Sequence, residues 1–460
     1  MLPSSLERVY FIGIGGYGMS ALAQVLFDLG LQVSGADLKE SEITRYLAGR
    51  GIKIYYDHRR VNIGDSQLVV YSTAIPGDNP EMLEARRRGV PLWHRSRLLA
   101  ALIAGRYGIA VAGTHGKTTT AAFLSLLLEE AGLDPTAIIG GIISRYPGNA
   151  RLGRGEYLVA EACESDHSFL LYRPQMALVT GIEPDHLENY GGDFNLLREA
   201  YQTFINHAQE GAVLCADDPR LVALLAGGIK PAAVTYAIDN READFYAGGI
   251  APGDPGPTFT LYRRGEAVTR VAINIPGRHN VSNALGALAV ADRLGLDLKS
   301  CARSLMKFRG AGRRYEIMGK VDGITVVSDY AHHPTEIRAT IQAARTNGER
   351  VFCIFQPHRY TRTAYFMEEF VSAFQEADLV LLHRIYPAGE KPIAGVSSER
   401  LAGLLRQAGK RPVYARESLE ELELLALELA RPGDNILVMG AGNINRLAES
   451  LYKRLQGGSE

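Results

Sequence analysis

Residues Gly113, Thr114, His115, Gly116, Lys117, Thr118, Thr119 and Thr120 lie directly after the apolar stretch 108–112 and directly before the apolar stretch 121–128. In the order strand, glycine loop, helix, free backbone N–H groups and the positive end of a helix dipole converge on an anion. The two glycines let backbone approach phosphate oxygens, and Lys117 adds a mobile positive charge. This is the chemistry of a nucleoside-triphosphate site. The full P-loop spacing puts a glycine five residues before Gly116, where this chain has Val111, so the loop is a shortened one.

A second glycine loop, with Gly13, Gly15, Gly16 and Gly18, follows the apolar run 9–12 and opens a helix, and Asp37 closes the next β-rich run. That is the dinucleotide fingerprint with its ribose-binding acid. The loop itself asks only for a diphosphate on a helix N-terminus, so a nicotinamide cofactor and a uridine diphosphate sugar satisfy it equally.

Further groups gather around these loops. Glu161 ends the run 157–160, where a carboxylate can hold Mg²⁺ against phosphates together with the Thr118 hydroxyl, while Glu164 and Asp166 suit either that role or helix capping. Asp185 and His186 follow the run 176–179, at the carboxyl edge of the same inferred sheet, where ligands collect in open α/β folds. His279, Asn280 and Asn283 start a helix, where amides serve a purine edge or a cap. Arg359 and Arg362, three residues apart, suit a carboxylate clamp, and residues 329–334 are dense in hydrogen-bonding groups. The glycine turn at 440–442 reads as structural.

The elements that must position these groups alternate. From Arg8 to Tyr71, short β-rich runs and helical patterns predict βαβ units and a parallel sheet. A second such series opens before Gly113 and runs through 157–160, 176–179 and 212–214. Alternating residues between Asp239 and Ile275 predict a small antiparallel section. A third series, with strands near 324–327, 350–355, 378–382 and 435–439, follows the basic segment 308–314.

At 460 residues the chain is long enough for about three domains. A formal net charge of −1 offers no global field for polyanions, so nucleic acid is not the expected partner. Cys163, Cys215, Cys301 and Cys353 form no C-x-x-C pair, which argues against a disulfide framework or zinc site and for reduced thiols. No membrane span or signal peptide is expected, because every apolar stretch is broken by charge or glycine.

Five segments taken together make the chain similar to the Mur ligases over nearly its whole length. They are Gly-Thr-His-Gly-Lys-Thr-Thr at 113–119, Gly-Ile-Glu-Pro-Asp-His at 181–186, Gly-Arg-His-Asn at 277–280, Asp-Tyr-Ala-His-His-Pro at 329–334 and Phe-Gln-Pro-His-Arg-Tyr-Thr-Arg at 355–362. The resemblance implies an α/β protein of three domains. These are a Rossmann-like UDP-sugar-binding domain over residues 1–105, a P-loop ATPase-like domain with a mostly parallel sheet over 106–308, and a Rossmann-like amino-acid-binding domain over 309–460. Gly13, Gly15, Gly16, Gly18, Met19, Asp37 and Ser72 are then the UDP-sugar contacts. ATP would be held by residues 113–119, with Lys117 on its phosphates. His279, Asn280 and Asn283 fall on the adenine side, Arg314 becomes a phosphate contact and Asp329 a nucleotide contact. Mg²⁺ would take Thr118, Glu161 and His186. Tyr330, His332, His333, Arg359 and Arg362 fall where amino-acid and muramyl carboxylates are gathered, and Lys117, His186, His333 and Arg359 are the catalytic candidates.

His115 stands where sister ligases commonly have asparagine, which points to the branch that joins L-alanine to UDP-N-acetylmuramate at the expense of ATP in the bacterial cytoplasm. The neighbouring branch attaches a recycled tripeptide to the same UDP-sugar. Three departures from the family pattern stand out. Cys163 replaces an aspartate, Gly181 an asparagine, and Arg95-Ser96-Arg97 an arginine-alanine-glutamate. The first two border the expected metal site and leave its inferred ligands in place.

Overall fold

The computed structural model describes residues 2–141, 143, 145–146, 148–253, 255–345, 350–410 and 412–457. It is a three-domain α/β protein with one sheet per domain. By backbone contacts the chain divides into two units. The first is Met1–Ile250 with Thr258–Ile273 and Val281–Arg309, and the second is Gly310–Glu460 with Ala251–Pro257 and Asn274–Asn280. No helix among the described residues is long and apolar enough to cross a membrane.

The first sheet has β1 (Arg8–Ile12), β2 (Gln32–Ala36), β3 (Lys53–Tyr55), β4 (Leu68–Tyr71) and β5 (Leu92–His94), in the order β3-β2-β1-β4-β5. Every pairing in it is parallel. Tyr10, Phe11 and Ile12 are fully buried, as strands covered on both faces must be. The order reverses between β1 and β4, so the glycine loop after β1 opens at the switch point. Its helix, α1 (Tyr17–Asp28), starts at Tyr17, directly from the loop. Two of the next helices show how local chemistry sets their ends. In α2 (Glu42–Gly49), Ser41 and Thr44 form a reciprocal capping box. In α3 (Pro80–Arg88), Asn79 caps, Pro80 takes the first turn and Gly89 closes the end at φ +68°. The last helix of this domain is α4 (Arg95–Ile103).

The central sheet has ten strands: β6 (Tyr107–Ala112), β7 (Thr136–Ile138), β8 (Ala150–Arg151), β9 (Tyr157–Glu161), β10 (Met176–Val179), β11 (Gly211–Cys215), β12 (Ala233–Ala237), β13 (Phe245–Ala251), β14 (Thr258–Arg263) and β15 (Glu266–Ala272). The order is β15-β14-β13-β12-β11-β10-β6-β9-β7-β8. β6 lies parallel between β10 and β9, and β14 with β15 is the antiparallel section expected from residue alternation. α5 (Lys117–Glu130) is buried on all faces from Thr118 to Leu128, so it is a core helix rather than an amphipathic one.

The third sheet has β16 (Glu316–Val321), β17 (Ile324–Asp329), β18 (Arg350–Phe355), β19 (Leu379–His383), β20 (Val413–Arg416) and β21 (Asp434–Met439), ordered β16-β17-β21-β18-β19-β20. Only the edge pair β16–β17 is antiparallel. Short edge strands such as β3, β5, β8 and β20 carry too few apolar residues to stand out in the sequence, and pairing to a neighbour makes them strands.

One buried acid ties the first domain together. Glu81, fully buried on α3, accepts from the Tyr10 hydroxyl at 2.7 Å and from the Asn62 amide at 3.2 Å. Its second oxygen meets His58 Nδ1 at 2.7 Å. The core strand β1, the helix α3 and the intervening turn thus share one carboxylate. Glu81→Ala leaves the Tyr10 and Asn62 groups buried without their acceptor and is expected to cost on the order of 3 kcal/mol. This would read as a lower urea midpoint for the first unfolding transition. Glu84→Ala on the same helix, which breaks a pair with the exposed Arg87 and leaves no buried group without a partner, should move the midpoint far less.

Candidate active site

In the first domain, Gly13 turns the chain at φ +77°, and the N–H groups of Gly13 and Ile14 donate to the Ala36 carbonyl at 2.8 and 3.0 Å. Gly15 N–H donates to Asp37 Oδ2 at 2.9 Å, and a Cβ on Gly15 would sit 2.8 Å from that oxygen. The loop after β1 and the acid after β2 therefore meet, as parallel neighbours must. Ser72 follows β4 on the other side of β1, and Met19 is buried in the first turn of α1. At the open end of the loop, Gly18 lies against Arg95, whose Nη1 would be 3.4 Å from a Cβ there.

The central loop is wedged between the ends of two strands. Gly113 and Gly116 have φ of +135° and +81°. A Cβ on Gly113 would come within 2.0 Å of Thr180 Oγ1, so only glycine fits. On the β10 side, Thr180 donates to the His115 carbonyl, Thr114 N–H donates to the Gly181 carbonyl at 2.9 Å, and Glu183 N–H donates to the Thr114 hydroxyl at 2.8 Å. His115 Nε2 is 3.5 Å from the Glu183 carboxylate. On the β9 side, Glu161 Oε1 accepts from Gly140 N–H at 2.8 Å. Asn283 Oδ1 accepts from the Thr120 hydroxyl at 3.2 Å and would be 2.4 Å from a Cβ on Gly116, so this amide braces the loop and the first turn of α5.

Lys117 Nζ donates to the carbonyls of Gly113 at 2.5 Å and Thr114 at 3.2 Å, and to both oxygens of Glu164 at 3.1 and 3.0 Å. Burial by itself would lower the ammonium's pKa, but the Glu164 carboxylate outweighs it, with Glu161 adding, and the pKa stands above its ordinary value. Lys117 is therefore a fixed positive charge. Cys163 beside it is pushed the other way for a thiol: burial, then Glu164, raise its pKa, so it stands as a neutral group, with Sγ 3.0 Å from Ser165 Oγ.

Thr118 and Glu161 are hard oxygen donors of the kind Mg²⁺ takes. Gly140 packs so closely that a Cβ there would be 2.9 Å from Glu161 Oε2, and one on Gly141 would be 3.1 Å from Thr118 Cγ2. Two glycines thus leave room around this donor pair. His186 stands at φ +56° in the loop after β10, with Asp185 at 3.6 Å and Glu188 at 3.7 Å.

In the second unit, Asp329 ends β17 and accepts from Ala331 N–H at 2.6 Å and Tyr315 N–H at 2.7 Å. Burial raises its pKa to about 6, although Arg314 and these two donors pull it down. The guanidinium carbons of Arg313 and Arg314 lie 4.8 and 5.1 Å from the centre of the Tyr330 ring. His332 Nδ1 is 2.9 Å from the Tyr330 carbonyl, and the buried His333 sets its ring edge-on to Phe366 at 4.4 Å. Arg359 adopts φ +70°, a costly conformation for a residue with a side chain, with its N–H on the Tyr386 carbonyl at 2.8 Å. Arg362 is buried, with Nη1 3.2 Å from His358 Nδ1, and the His358 ring stacks on Tyr386 at 5.5 Å. Asn280 donates to the Pro276 carbonyl at 2.7 Å, and a Cβ on Gly277 would meet His279 Cε1 at 2.4 Å. His279, Asn280 and Asn283 share the first turns of the helix Arg278–Arg293, and Asn283 is the one that braces the glycine loop through Thr120 and Gly116.

Sequence reasoning overlooked Thr180, which precedes the segment 181–186, gave Glu183 within that segment no role, and read Glu164 and Asp166 only as metal ligands or caps. For Arg95 a signal was present. It opens α4, where a cation opposes the helix dipole, so a charged partner was to be looked for.

Family models match three stretches of the chain. They are "Mur ligase family, catalytic domain" over residues 8–107, "Mur ligase middle domain" over 111–291 and "Mur ligase, glutamate ligase domain" over 313–442. The chain is 48% identical over 453 residues, 98% of each chain, to a protein of Pelotomaculum thermopropionicum named UDP-N-acetylmuramate–L-alanine ligase. It is 44% identical over 455 residues, again 98% of each, to one of the same name from Geobacter sulfurreducens. A crystal structure of the UDP-N-acetylmuramate-alanine ligase of Thermotoga maritima superposes with a TM-score of 0.83 at 31% identity, covering 98% of this chain and 99% of that one. A murein peptide ligase from Psychrobacter arcticus has the same fold, with a TM-score of 0.72 at 24% identity and 98% coverage of both chains. With all three domain models matched in order and relatives this similar over nearly the full length, the chain belongs to the Mur ligase family.

Proposed function

We infer that this protein joins L-alanine to the lactyl carboxylate of UDP-N-acetylmuramate, consuming ATP and releasing ADP and phosphate, in the making of peptidoglycan precursors. The relatives' shared name supports the substrates. The observation that carries the chemistry is Lys117, a charged ammonium fixed inside a glycine loop between the ends of β9 and β10. A carboxylate is a poor electrophile, so it must first be activated. The sugar's carboxylate attacks the γ-phosphate to give an acyl phosphate and ADP, and the amine of L-alanine then attacks the acyl carbonyl and expels phosphate.

The roles of this chain's residues follow from charge. Backbone N–H groups of residues 113–119 and the N-terminus of α5 take the phosphates, and Lys117 moves from Glu164 onto them as charge spreads over the transferring group. Thr118, Glu161 and His186 would hold Mg²⁺, which when bound supplies further neutralisation of that charge. The loop over Gly13, Gly15, Gly16 and Gly18, with Asp37, Ser72 and Met19 beside it, receives the UDP group. Asp329 and Arg314 serve the nucleotide, with His279, Asn280 and Asn283 on its adenine side. Arg359 and Arg362 serve a carboxylate, with Tyr330, His332 and His333 lining the amino-acid region. The four cysteines are all free, in keeping with a reducing bacterial cytoplasm.

An ADP-release assay with UDP-N-acetylmuramate and ATP tests this directly. L-alanine should stimulate release, and a tripeptide in its place should not; the reverse preference would assign the chain to the recycling branch. Lys117→Ala should lower alanine-dependent release by roughly a hundredfold or more while UDP still binds. EDTA should abolish release and added Mg²⁺ restore it. Arg359→Lys, which keeps the charge and loses the planar fork, should raise KM for a carboxylate substrate by about tenfold. An unchanged KM for both L-alanine and the UDP-sugar would remove that clamp.

A further inference from the structure

Each of the two glycine loops has a cation at its mouth, and both cations are paired to one short segment after β9. Lys117 belongs to the central loop and is held by both oxygens of Glu164. Two residues on, Asp166 Oδ2 accepts from Arg95 Nη2 at 2.9 Å, while its Oδ1 caps Ser168 N–H at 3.1 Å. Arg95 comes from the first domain. Its guanidinium lies on Gly18, with Nη1 where a Cβ would approach to 3.4 Å and Cδ at 3.8 Å. The pair is substantially buried, with the two side chains 22% and 15% exposed.

An arginine in this position is costly on its own. It occupies the first residue of α4, against the positive end of the helix dipole, and it is withdrawn from most of the solvent. Its cost is met by one anion, and a loop already shaped for a diphosphate lies on its other side. The guanidinium fork matches phosphate oxygens as it matches a carboxylate. The neighbouring Lys117–Glu164 pair shows the same arrangement at the ATP loop, a phosphate-site cation held by a carboxylate.

We propose that Arg95 is a further ligand of the nucleoside diphosphate bound at Gly13, Gly15, Gly16 and Gly18, and that Asp166 is the positioning residue that holds its guanidinium at the mouth of that loop until the diphosphate takes it. The proposal rests on the UDP-sugar reading of this loop and adds the residue that would sense the phosphate charge. Asp166 competes with the ligand for Arg95. Removing its charge leaves a buried cation unpaired in the free protein, and phosphate binding relieves that penalty.

The test is calorimetric titration of the full chain with UDP and with UMP, which differ by one phosphate. Arg95→Gln should weaken UDP binding by about tenfold or more and shrink the preference for UDP over UMP, with Arg95→Lys intermediate. Asp166→Asn should act in the opposite sense, tightening UDP several-fold and widening that preference, even though the free protein becomes less stable to urea. A merely structural ion pair would lower stability in both variants without moving the UDP-to-UMP ratio, and that result would overturn the proposal, as would weaker UDP binding in Asp166→Asn. If the unaltered protein binds neither nucleotide, the UDP-sugar reading itself fails; if it binds UDP and the ratio stays put in the variants, only the role of Arg95 and Asp166 is lost.

Discussion

Three parallel strands, β10, β6 and β9, govern the glycine loop at Gly113. Parallel pairing aligns their carboxyl ends, so whatever follows each strand must emerge side by side. The glycine loop follows β6, the Thr180 to His186 segment follows β10, and Glu161 with Cys163 and Glu164 follows β9. Gly113 is obligatory because the β10 segment comes close enough for a Cβ to strike Thr180 Oγ1. The loop's shape is thus fixed by its neighbours as much as by its own residues. A substitution that shifted one of these strands would disturb the loop without touching it.

The same alignment creates an electrostatic constraint. Lys117 is placed among carbonyls and carboxylates with little water around it, and such a charge survives only if it is paired. Glu164 provides that pairing, with its own backbone carbonyl held by the Tyr190 hydroxyl at 2.6 Å. Cys163 sits beside them, and burial, then Glu164, keep it neutral, so it adds no charge here. On the phosphate reading proposed above, the phosphates replace the carboxylates, and the cations are then never left alone.

In the second unit the parallel run β17, β21 and β18 does comparable work. It aligns Asp329, Met439 and Phe355, so that Gly440 approaches the Gln356 carbonyl to 2.9 Å from where its Cβ would be. Arg313 donates to the carbonyls of Gly440 and Gly442 at 2.5 and 3.2 Å. The glycine turn at 440–442 is therefore a structural joint for the segment carrying Arg314 and Tyr330. The strained backbone of Arg359 and the buried guanidinium of Arg362 are held in place by Tyr386 and His358, which follow the neighbouring strands β19 and β18 and pair with each other as a parallel bridge.

Much of this was legible in the residues. The two glycine loops, their helices and the principal strands follow from local pattern, because glycine spacing and apolar periodicity are properties of a few neighbouring residues. The five motifs identify the family for the same reason. What each loop faces was not legible. Glu164 read as well as a cap as a ligand, Asn283 read as a purine contact or a cap, and Arg95 stood out only as the matching first residue of a segment whose next two residues depart from the family pattern. The sequence by itself determined the two glycine loops, the charged residues within and after them, and the motifs that mark the family. Only the tertiary structure decided that Glu164 holds Lys117, that Asn283 braces Gly116, and that Arg95 joins Gly18 to Asp166. Those pairings depend on strand order, which brings together residues up to 167 positions apart, and no spacing along the chain encodes that order.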